Sequence, residues 1–237
     1  MRCIKFFLLF MSISAVALAQ TENDSVPEPD LSIPEYDNLC AIMGGDSVRL
    51  NRGMKVTGFI KDLYPSGKIR HKGYYENGQI STIFSNFYEN GQMERCFKTK
   101  TDRKGTLEVY YPDGMLLSRV EWINGESRKW EDFYHSGQVE FEEEFNNGLD
   151  YYLYMRFFYE DGKPQVLFEL LDEKTRTYSY KEFFPNGQVK ESGIKVHNES
   201  INDYQMEGTW QFFNESGKLI LEEEYTRGLL INDKRYE

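Results

Sequence analysis

The sequence is poor in the residues that usually build catalytic or metal sites. Its 237 residues include only three Cys, three His and three Trp. His71, His135 and His197 have no Cys or His neighbour at the spacing of a zinc site. Phosphate-binding loops, dinucleotide fingerprints, nucleophile elbows and zinc-protease motifs do not occur. We therefore predict a protein that is not an enzyme, with no catalytic residue, no metal site and no cofactor.

Basic residues are also scarce relative to acidic ones. There are 28 Lys and Arg against 39 Asp and Glu, which gives a formal net charge of -11. A chain with this charge is repelled by nucleic acid and by anionic lipid surfaces. We therefore expect no nucleic-acid partner.

Long apolar runs are missing after the first twenty residues. Arg2 and Lys5 precede an apolar run over residues 6–19, which ends in Ala17-Leu18-Ala19. This arrangement is typical of a signal peptide (1–19) that is cleaved before Gln20, and an uncleaved anchor is the alternative. We expect a secreted or periplasmic protein with no transmembrane segment after cleavage.

Two cysteines, Cys40 and Cys96, lie beyond the predicted signal peptide. Export permits a disulfide between them. Two separate buried thiols are the alternative, because the sequence does not tell whether the two Cα atoms come close enough.

One short phrase, an aromatic residue followed two residues later by a small polar residue and then glycine, recurs along the chain. Its glycines are Gly67, Gly91, Gly114, Gly137, Gly162, Gly187 and Gly217. In the last copy Asn214 replaces the aromatic residue, and we expect that turn to be one residue longer. Asn-Gly, Asp-Gly and Ser-Gly are typical of tight hairpin turns, which need a positive φ.

A second turn is predicted near the middle of each period. The glycines that mark it are Gly78, Gly105, Gly125, Gly148 and Gly228, and the fifth and sixth units turn without glycine at 172–175 and 198–202. Two turns per period leave two short strands with alternating apolar residues. We predict an all-β fold: an elongated single-layer antiparallel meander of about seven tandem β-hairpin repeats.

These phrases resemble the MORN-repeat variant family, also described as bacterial antitoxin-like repeat proteins. The matching segments are residues 75–80, 88–93, 133–139 and 183–189. The resemblance covers roughly residues 55 to 230, and it implies binding or scaffolding rather than catalysis. The antitoxin description would imply a toxin partner.

The domain boundaries follow from composition. Residues 20–35 are acidic and rich in proline, which is typical of a flexible linker. Residues 36–56 are less regular, and Asn51-Arg52-Gly53 indicates a hairpin that could cap the edge of the sheet. The repeat array occupies residues 57–237.

Adjacent aromatic residues precede most of the repeat turns. Neighbours in a strand point to opposite faces, so one aromatic stripe would remain partly exposed. Tyr88, Tyr111, Tyr134 and Tyr159 are therefore candidate binding residues, and an aromatic ladder that stiffens the hairpins is the alternative. The carboxylates of Glu142, Glu143 and Glu144 are expected on a solvated strand face.

The expected partner is another protein, bound by an exported scaffold of the bacterial envelope. An antitoxin-like or immunity inhibitor of a toxin is a second hypothesis, favoured by the acidic surface. A glycan-binding module is a third, because aromatic rings can stack on sugars.

Overall fold

The computed structural model describes residues 36–237. The predicted signal peptide (1–19) and acidic linker (20–35) lie outside the described residues. Two short 3-10 helices come first, at Tyr36–Leu39 and Ala41–Met43. The strands are β1 (Leu50–Asn51), β2 (Met54–Lys55), β3 (Gly58–Leu63), β4 (Ile69–Glu76), β5 (Gln79–Phe87), β6 (Met93–Thr101), β7 (Lys104–Tyr110), β8 (Leu116–Ile123), β9 (Glu126–Phe133), β10 (Val139–Phe145), β11 (Tyr152–Phe158), β12 (Pro164–Asp172), β13 (Thr177–Phe183), β14 (Val189–Asn198), β15 (Asp203–Phe213), β16 (Leu219–Thr226) and β17 (Leu229–Arg235).

Strands β3 to β17 form one antiparallel sheet in which each strand pairs with the next along the chain. The sheet contains 15 strands, and β1 and β2 form a separate hairpin. Seven hairpins plus the final strand β17 make up the array. The predicted all-β meander of hairpin repeats is therefore confirmed.

Every repeat turn has the same hydrogen bonds. In the first, the Gly67 amide donates to the Tyr64 carbonyl (2.8 Å) and the Tyr64 amide to the Lys68 carbonyl (2.8 Å). Gly67 has φ +85, a left-handed conformation that glycine adopts at little cost. The turn at Asn214 makes the same two bonds, so the extra residue predicted there was wrong.

The turns at the opposite end of the hairpins are mostly tight two-residue turns. Asn124 (φ 53) and Gly125 (φ 87) both have positive φ, as a type I′ turn requires. Gly105 is an exception, because it lies inside β7 and its prediction as a turn residue was wrong. A Cβ at this position would collide with the Phe97 ring, so Gly105 makes room for that ring on the neighbouring strand.

The two faces of the sheet are defined by an unbroken row of directly paired residues, one from each strand. We call the side that carries this row the front face and the other the back face. From β3 to β17 the row is Asp62, His71, Asn86, Arg95, Val109, Ser118, Asp132, Phe141, Phe157, Val166, Glu182, Glu191, Phe212, Leu221 and Arg235.

The segment before the array covers the front face over the first strands. Tyr36, Leu39, Cys40 and Ile42 are buried. The 3-10 helix Ala41–Met43 packs against β7, β8 and β9. These apolar residues give the single-layer sheet a hydrophobic core, which it lacks without a second layer.

The hairpin β1–β2 confirms the turn indicated by Arg52-Gly53, but it does not extend the sheet. The Arg49 amide donates to the Gly78 carbonyl (2.8 Å), and the Gly78 amide donates to the Val56 carbonyl (2.8 Å). The hairpin thus lies against the turn between β4 and β5. Strand β3 remains the edge of the sheet.

The C-terminal strands build a second core from their own side chains. Val166, Phe168, Tyr178, Tyr180 and Trp210 are buried together on the front face. The rings of Phe168 in β12 and Tyr204 in β15 lie 4.9 Å apart although two strands separate them. The sheet therefore curls toward its front face in this region. In residues 36–237 no helix is long and apolar enough to cross a membrane.

Candidate protein-binding surface

The chain's own N-terminal segment shows how the front face holds a peptide. Asp62 accepts hydrogen bonds from both terminal nitrogens of Arg49 (2.7 and 2.5 Å) and from the Tyr36 hydroxyl (2.9 Å). A guanidinium bound by two parallel hydrogen bonds is both strong and geometrically specific. Arg95 extends the contact through an ion pair with Asp37 (2.6 Å).

His71 is the residue of the sheet on which the Tyr36 ring lies. The Tyr36 ring stacks on the imidazole with centroids 3.7 Å apart. One ring nitrogen lies 2.7 Å from Asn86 Oδ1 and the other 2.9 Å from the Tyr75 hydroxyl. Burial lowers the pKa of His71 to about 4, because the charged form would lose its hydration. His71 therefore has a structural role as a buried neutral ring.

Further along the front face, five side chains form what we call the open patch: Trp130, Asp132, Phe141, Glu143 and Phe157. All five are half-buried. On either side the front face is buried, with Val120 only 2% and Val166 only 7% exposed. Between β4 and β15, side chains that are almost fully buried on the front face thus lie on both sides of the open patch, whose own side chains are only half-buried.

The open patch combines aromatic rings with carboxylates. The Phe141 and Phe157 rings lie 4.8 Å apart, and the Trp130 indole N–H donates to Asp132 (2.7 Å). Burial and the nearby Asp132 charge raise the pKa of Glu143 to about 7, against a hydrogen bond from Tyr152 that lowers it. Glu143 thus changes its charge near neutral pH.

The patch has no basic residue to balance its carboxylates. From β8 to β12 the two central rows of paired front-face residues are Ser118, Asp132, Phe141, Phe157 and Val166 in one row and Val120, Trp130, Glu143, Met155 and Phe168 in the other. The basic side chains of these strands pair with acids on the back face instead, as Arg128 does with Glu144 (2.7 Å) and Arg156 with Glu142 (3.0 Å).

The three consecutive glutamates differ from the solvated strand face that was expected. Glu142 and Glu144 are held in ion pairs on the back face. Glu143 points to the front face, because neighbouring residues in a strand alternate. Only one of the three therefore belongs to the open patch.

The four tyrosines predicted as binding residues form a line at the turn end of the hairpins. Each is half-buried, and each hydroxyl donates to a backbone carbonyl of the next repeat: Tyr88 to Tyr110 (2.7 Å), Tyr111 to Phe133 (3.2 Å), Tyr134 to Phe158 (2.8 Å) and Tyr159 to Phe183 (2.7 Å). Tyr64 makes the same bond to Phe87 (2.7 Å). These contacts are those of the stiffening ladder, and partner binding by the four tyrosines stays a prediction.

Of the two alternatives for Cys40 and Cys96, the structure shows two separate buried thiols and no disulfide. Both thiols are free and buried. Cys96 lies between Arg95 and Phe97, which point to the front face, so its side chain points to the back face beside Ser85. Cys40 belongs to the segment on the front face. The sheet itself separates the two sulfur atoms.

Sequence reasoning missed the open patch because it searched for motifs near the turns. The signal was present in the repeat phase. Trp130 stands seven residues before Gly137 and Glu143 six after it, at positions where the third repeat has the apolar residues Leu107 and Val120 and the last repeat has Trp210 and Glu223.

Comparisons with known proteins agree with the repeat architecture. A family model described as MORN repeat variant matches residues 103–124, 129–147 and 206–226. No curated protein matches the chain.

Two solved structures are similar to part of the chain. One is a crystal structure of TarM, 14% identical with a TM-score of 0.24. The other is a mutant of S. aureus TarM in complex with fondaparinux, alpha-GlcNAc-glycerol and UDP, 12% identical with a TM-score of 0.24. In both, the match covers 63% of this chain and 21% of the other. The chain thus spans about a fifth of their length.

Proposed function

We propose that the chain is a non-catalytic protein-binding module of the bacterial envelope. The match to the MORN repeat variant at three places supports this proposal, because such repeats suggest a binding or scaffold role. The open patch is the surface through which it binds. The partner protein covers this part of the front face, as residues 36–49 cover the part over the first repeats.

The observation that carries this proposal is the break in burial along one continuous face. Phe84, Phe97 and Val120 are at most 2% exposed, and Trp210 at the other end is 1% exposed. Between them the rings of Trp130 and Phe141 remain half-buried. Aromatic side chains on a partly exposed apolar surface are typical of protein interfaces.

Photo-crosslinking in the organism of origin tests this surface. A photoreactive phenylalanine analogue at Phe141 should capture a protein, which mass spectrometry then identifies. The matched control is the same analogue at Phe133, which lies on the back face one strand away, where Arg119 lies over its ring (6.0 Å). Equal capture at both positions, or none at Phe141, would contradict the proposal.

The identity of the captured protein separates the alternatives. A toxin would favour the antitoxin-like or immunity role, and a structural envelope protein would favour the scaffold role. Retention of the chain on a glycan column, lost when Trp130 is changed to Ala, would favour the glycan-binding role.

Export is the second part of the proposal, and residues 1–19 support it by their sequence alone. We expect the protein isolated from the envelope fraction to begin at Gln20. Terminal sequencing of that protein measures this directly, and an intact Met1 in a cytoplasmic fraction would contradict export.

A further inference from the structure

The first and fourth repeats carry a carboxylate at the same place. Asp62 stands five residues before Gly67, and Asp132 stands five residues before Gly137. Both belong to the same row of paired residues across the front face. The two side chains therefore present the same chemistry at equivalent points of the sheet.

In the first repeat this carboxylate binds an arginine from a segment that crosses the sheet. Arg49 makes two hydrogen bonds to Asp62, and Tyr36 stacks on His71, four residues after Gly67. The equivalent of His71 in the fourth repeat is Phe141, another flat ring. The fourth repeat thus repeats the carboxylate and the ring, and both are half-buried.

Two further differences between the fourth repeat and the first favour a cation. Glu143 takes the place of Gly73 and adds a second carboxylate, while Trp130 takes the place of Ile60. A guanidinium can bind a carboxylate through two hydrogen bonds while its plane lies on an indole or phenyl ring.

We infer that the open patch accepts an arginine-bearing segment of a partner protein, with the guanidinium at Asp132 and Glu143 and a flat or apolar side chain on Phe141. The inference rests on the proposed binding function and specifies the chemistry of the partner. The chain's own residues 20–35 do not fit this description, because they contain five acidic residues and no Lys or Arg.

A displayed library of random dodecapeptides, selected on residues 20–237, tests the inference. The recovered peptides should share an arginine together with an aromatic or large apolar residue. The double variant Asp132→Asn/Glu143→Gln should weaken their binding at least tenfold, measured by fluorescence anisotropy. Both replacements keep an acceptor oxygen for Trp130 and Tyr152, so the shape of the patch is retained.

A matched control removes two charges elsewhere. The variant Glu126→Gln/Glu140→Gln replaces one exposed residue in β9 and one in β10, and it removes the same formal charge as the first double variant. It should bind the selected peptides as the unmodified chain does. An equal loss in both double variants would overturn the inference, because it would show a general effect of charge.

The variant Trp130→Ala separates the inference from the proposed function, provided that thermal melting shows it to be folded. Peptides that lose binding with Trp130→Ala but not with Asp132→Asn/Glu143→Gln would leave the binding function standing and overturn the arginine inference. Peptides insensitive to both variants would overturn both. Recovered sequences without basic residues, or no enrichment at all, would overturn the inference.

Discussion

The front face over β4 to β8 and the open patch over β9 to β11 are built from the same repeat, yet only the first contains fully buried rings. The covered stretch contains buried His71, Phe84 and Phe97, and the open patch contains half-buried Phe141 and Trp130. A single-layer sheet has no second layer of its own. The comparison shows that the two ends of the front face are buried in different ways. Residues 36–49, the docked segment, cover one end, and the curl of the sheet buries the other.

The two regions also differ in how their central titratable group is buried. His71 is neutral in a closed polar network, and its pKa is low because of burial. Glu143 is an acid whose pKa is raised by burial and by Asp132. Protonation therefore destabilises the covered stretch and stabilises the open patch.

The largest difference in unfolding free energy between the two regions should come from removing the carboxylate at the equivalent positions Asp62 and Asp132. Asp62→Ala would leave the Arg49 guanidinium and the Tyr36 hydroxyl without their acceptor, which we expect to cost about 3 kcal/mol of unfolding free energy. Asp132→Ala should cost below about 1 kcal/mol, because its surroundings are more exposed. Urea unfolding measures both values.

The rate of Cys40 alkylation gives a second measurement of the same change. Cys40 is a buried residue of the segment 36–49, and its burial raises the pKa of the thiol to about 11. Asp62→Ala should speed its alkylation at least tenfold and leave Cys96 on the back face unchanged. Equal acceleration of both thiols would show global unfolding and contradict the docking role of Asp62.

Acid should weaken the covered stretch through His71. The folded pKa of about 4 lies below the ordinary value near 6.5, so its stabilising contribution is complete above pH 6.5 and is lost as the pH falls toward 4. We expect a loss of about 2 kcal/mol between pH 7 and pH 4.5. Unfolding should be followed in the Glu143→Gln background, which removes the opposing titration.

The control for this pH effect is His71→Gln in the same background. This variant should be less stable at pH 7 and should lose no further stability down to pH 4.5. A pH dependence that persists in His71→Gln would assign the effect to other groups.

Glu143→Gln should have a smaller effect of opposite sign. Because the folded pKa of about 7 exceeds the ordinary value, ionised Glu143 destabilises the fold, and stability falls as the pH rises from about 4.5 to 7. At pH 8 the variant should be more stable by about 1 to 2 kcal/mol. Glu142→Gln, which breaks the ion pair with Arg156 on the back face, should bring no such gain.

The smallest effects are expected in the tyrosine line, which runs through both regions. Tyr111→Phe and Tyr134→Phe should each cost about 1 kcal/mol, because each removes one hydrogen bond to the next repeat. Phe184 stands three residues before Gly187, where the preceding repeats have the tyrosine of this line. Phe184→Tyr should therefore raise the unfolding free energy by a similar amount, since it adds the hydroxyl that this repeat lacks. Thermal melting checks the signs, and unchanged crosslinking at Phe141 would separate the ladder from the binding surface.

The periodic features of the fold could be predicted from sequence, because they rest on local chemistry. Glycines such as Gly67 and Gly125 need a positive φ, and alternating apolar residues define strands. Gly105 misled the prediction because a glycine that accommodates a ring on the next strand has the same letter as a turn glycine. Asn214 led to the wrong prediction of a longer turn, because the turn depends on backbone hydrogen bonds and not on the aromatic ring.

The docked segment and the open patch could not be predicted in the same way. Residues 36–49 have no period, and their contacts join Tyr36 to His71 and Arg49 to Asp62 across distances in sequence that no pattern marks. The position of Glu143 follows from strand alternation, but its half-burial depends on contacts with other strands, such as Tyr152 in β11, that no local pattern marks.

The forward-reaching tyrosines have a consequence for how such a chain can change over generations. Strand pairing and the bond from Tyr88 to the Tyr110 carbonyl both join a repeat to its immediate successor. One whole unit could therefore be duplicated or lost while the strand pairs between the remaining units were kept, since in residues 36–237 the first and last strands of the sheet do not pair with each other. The number of repeats could then vary, and each added repeat would bring one more place on the front face where a new binding specificity can arise.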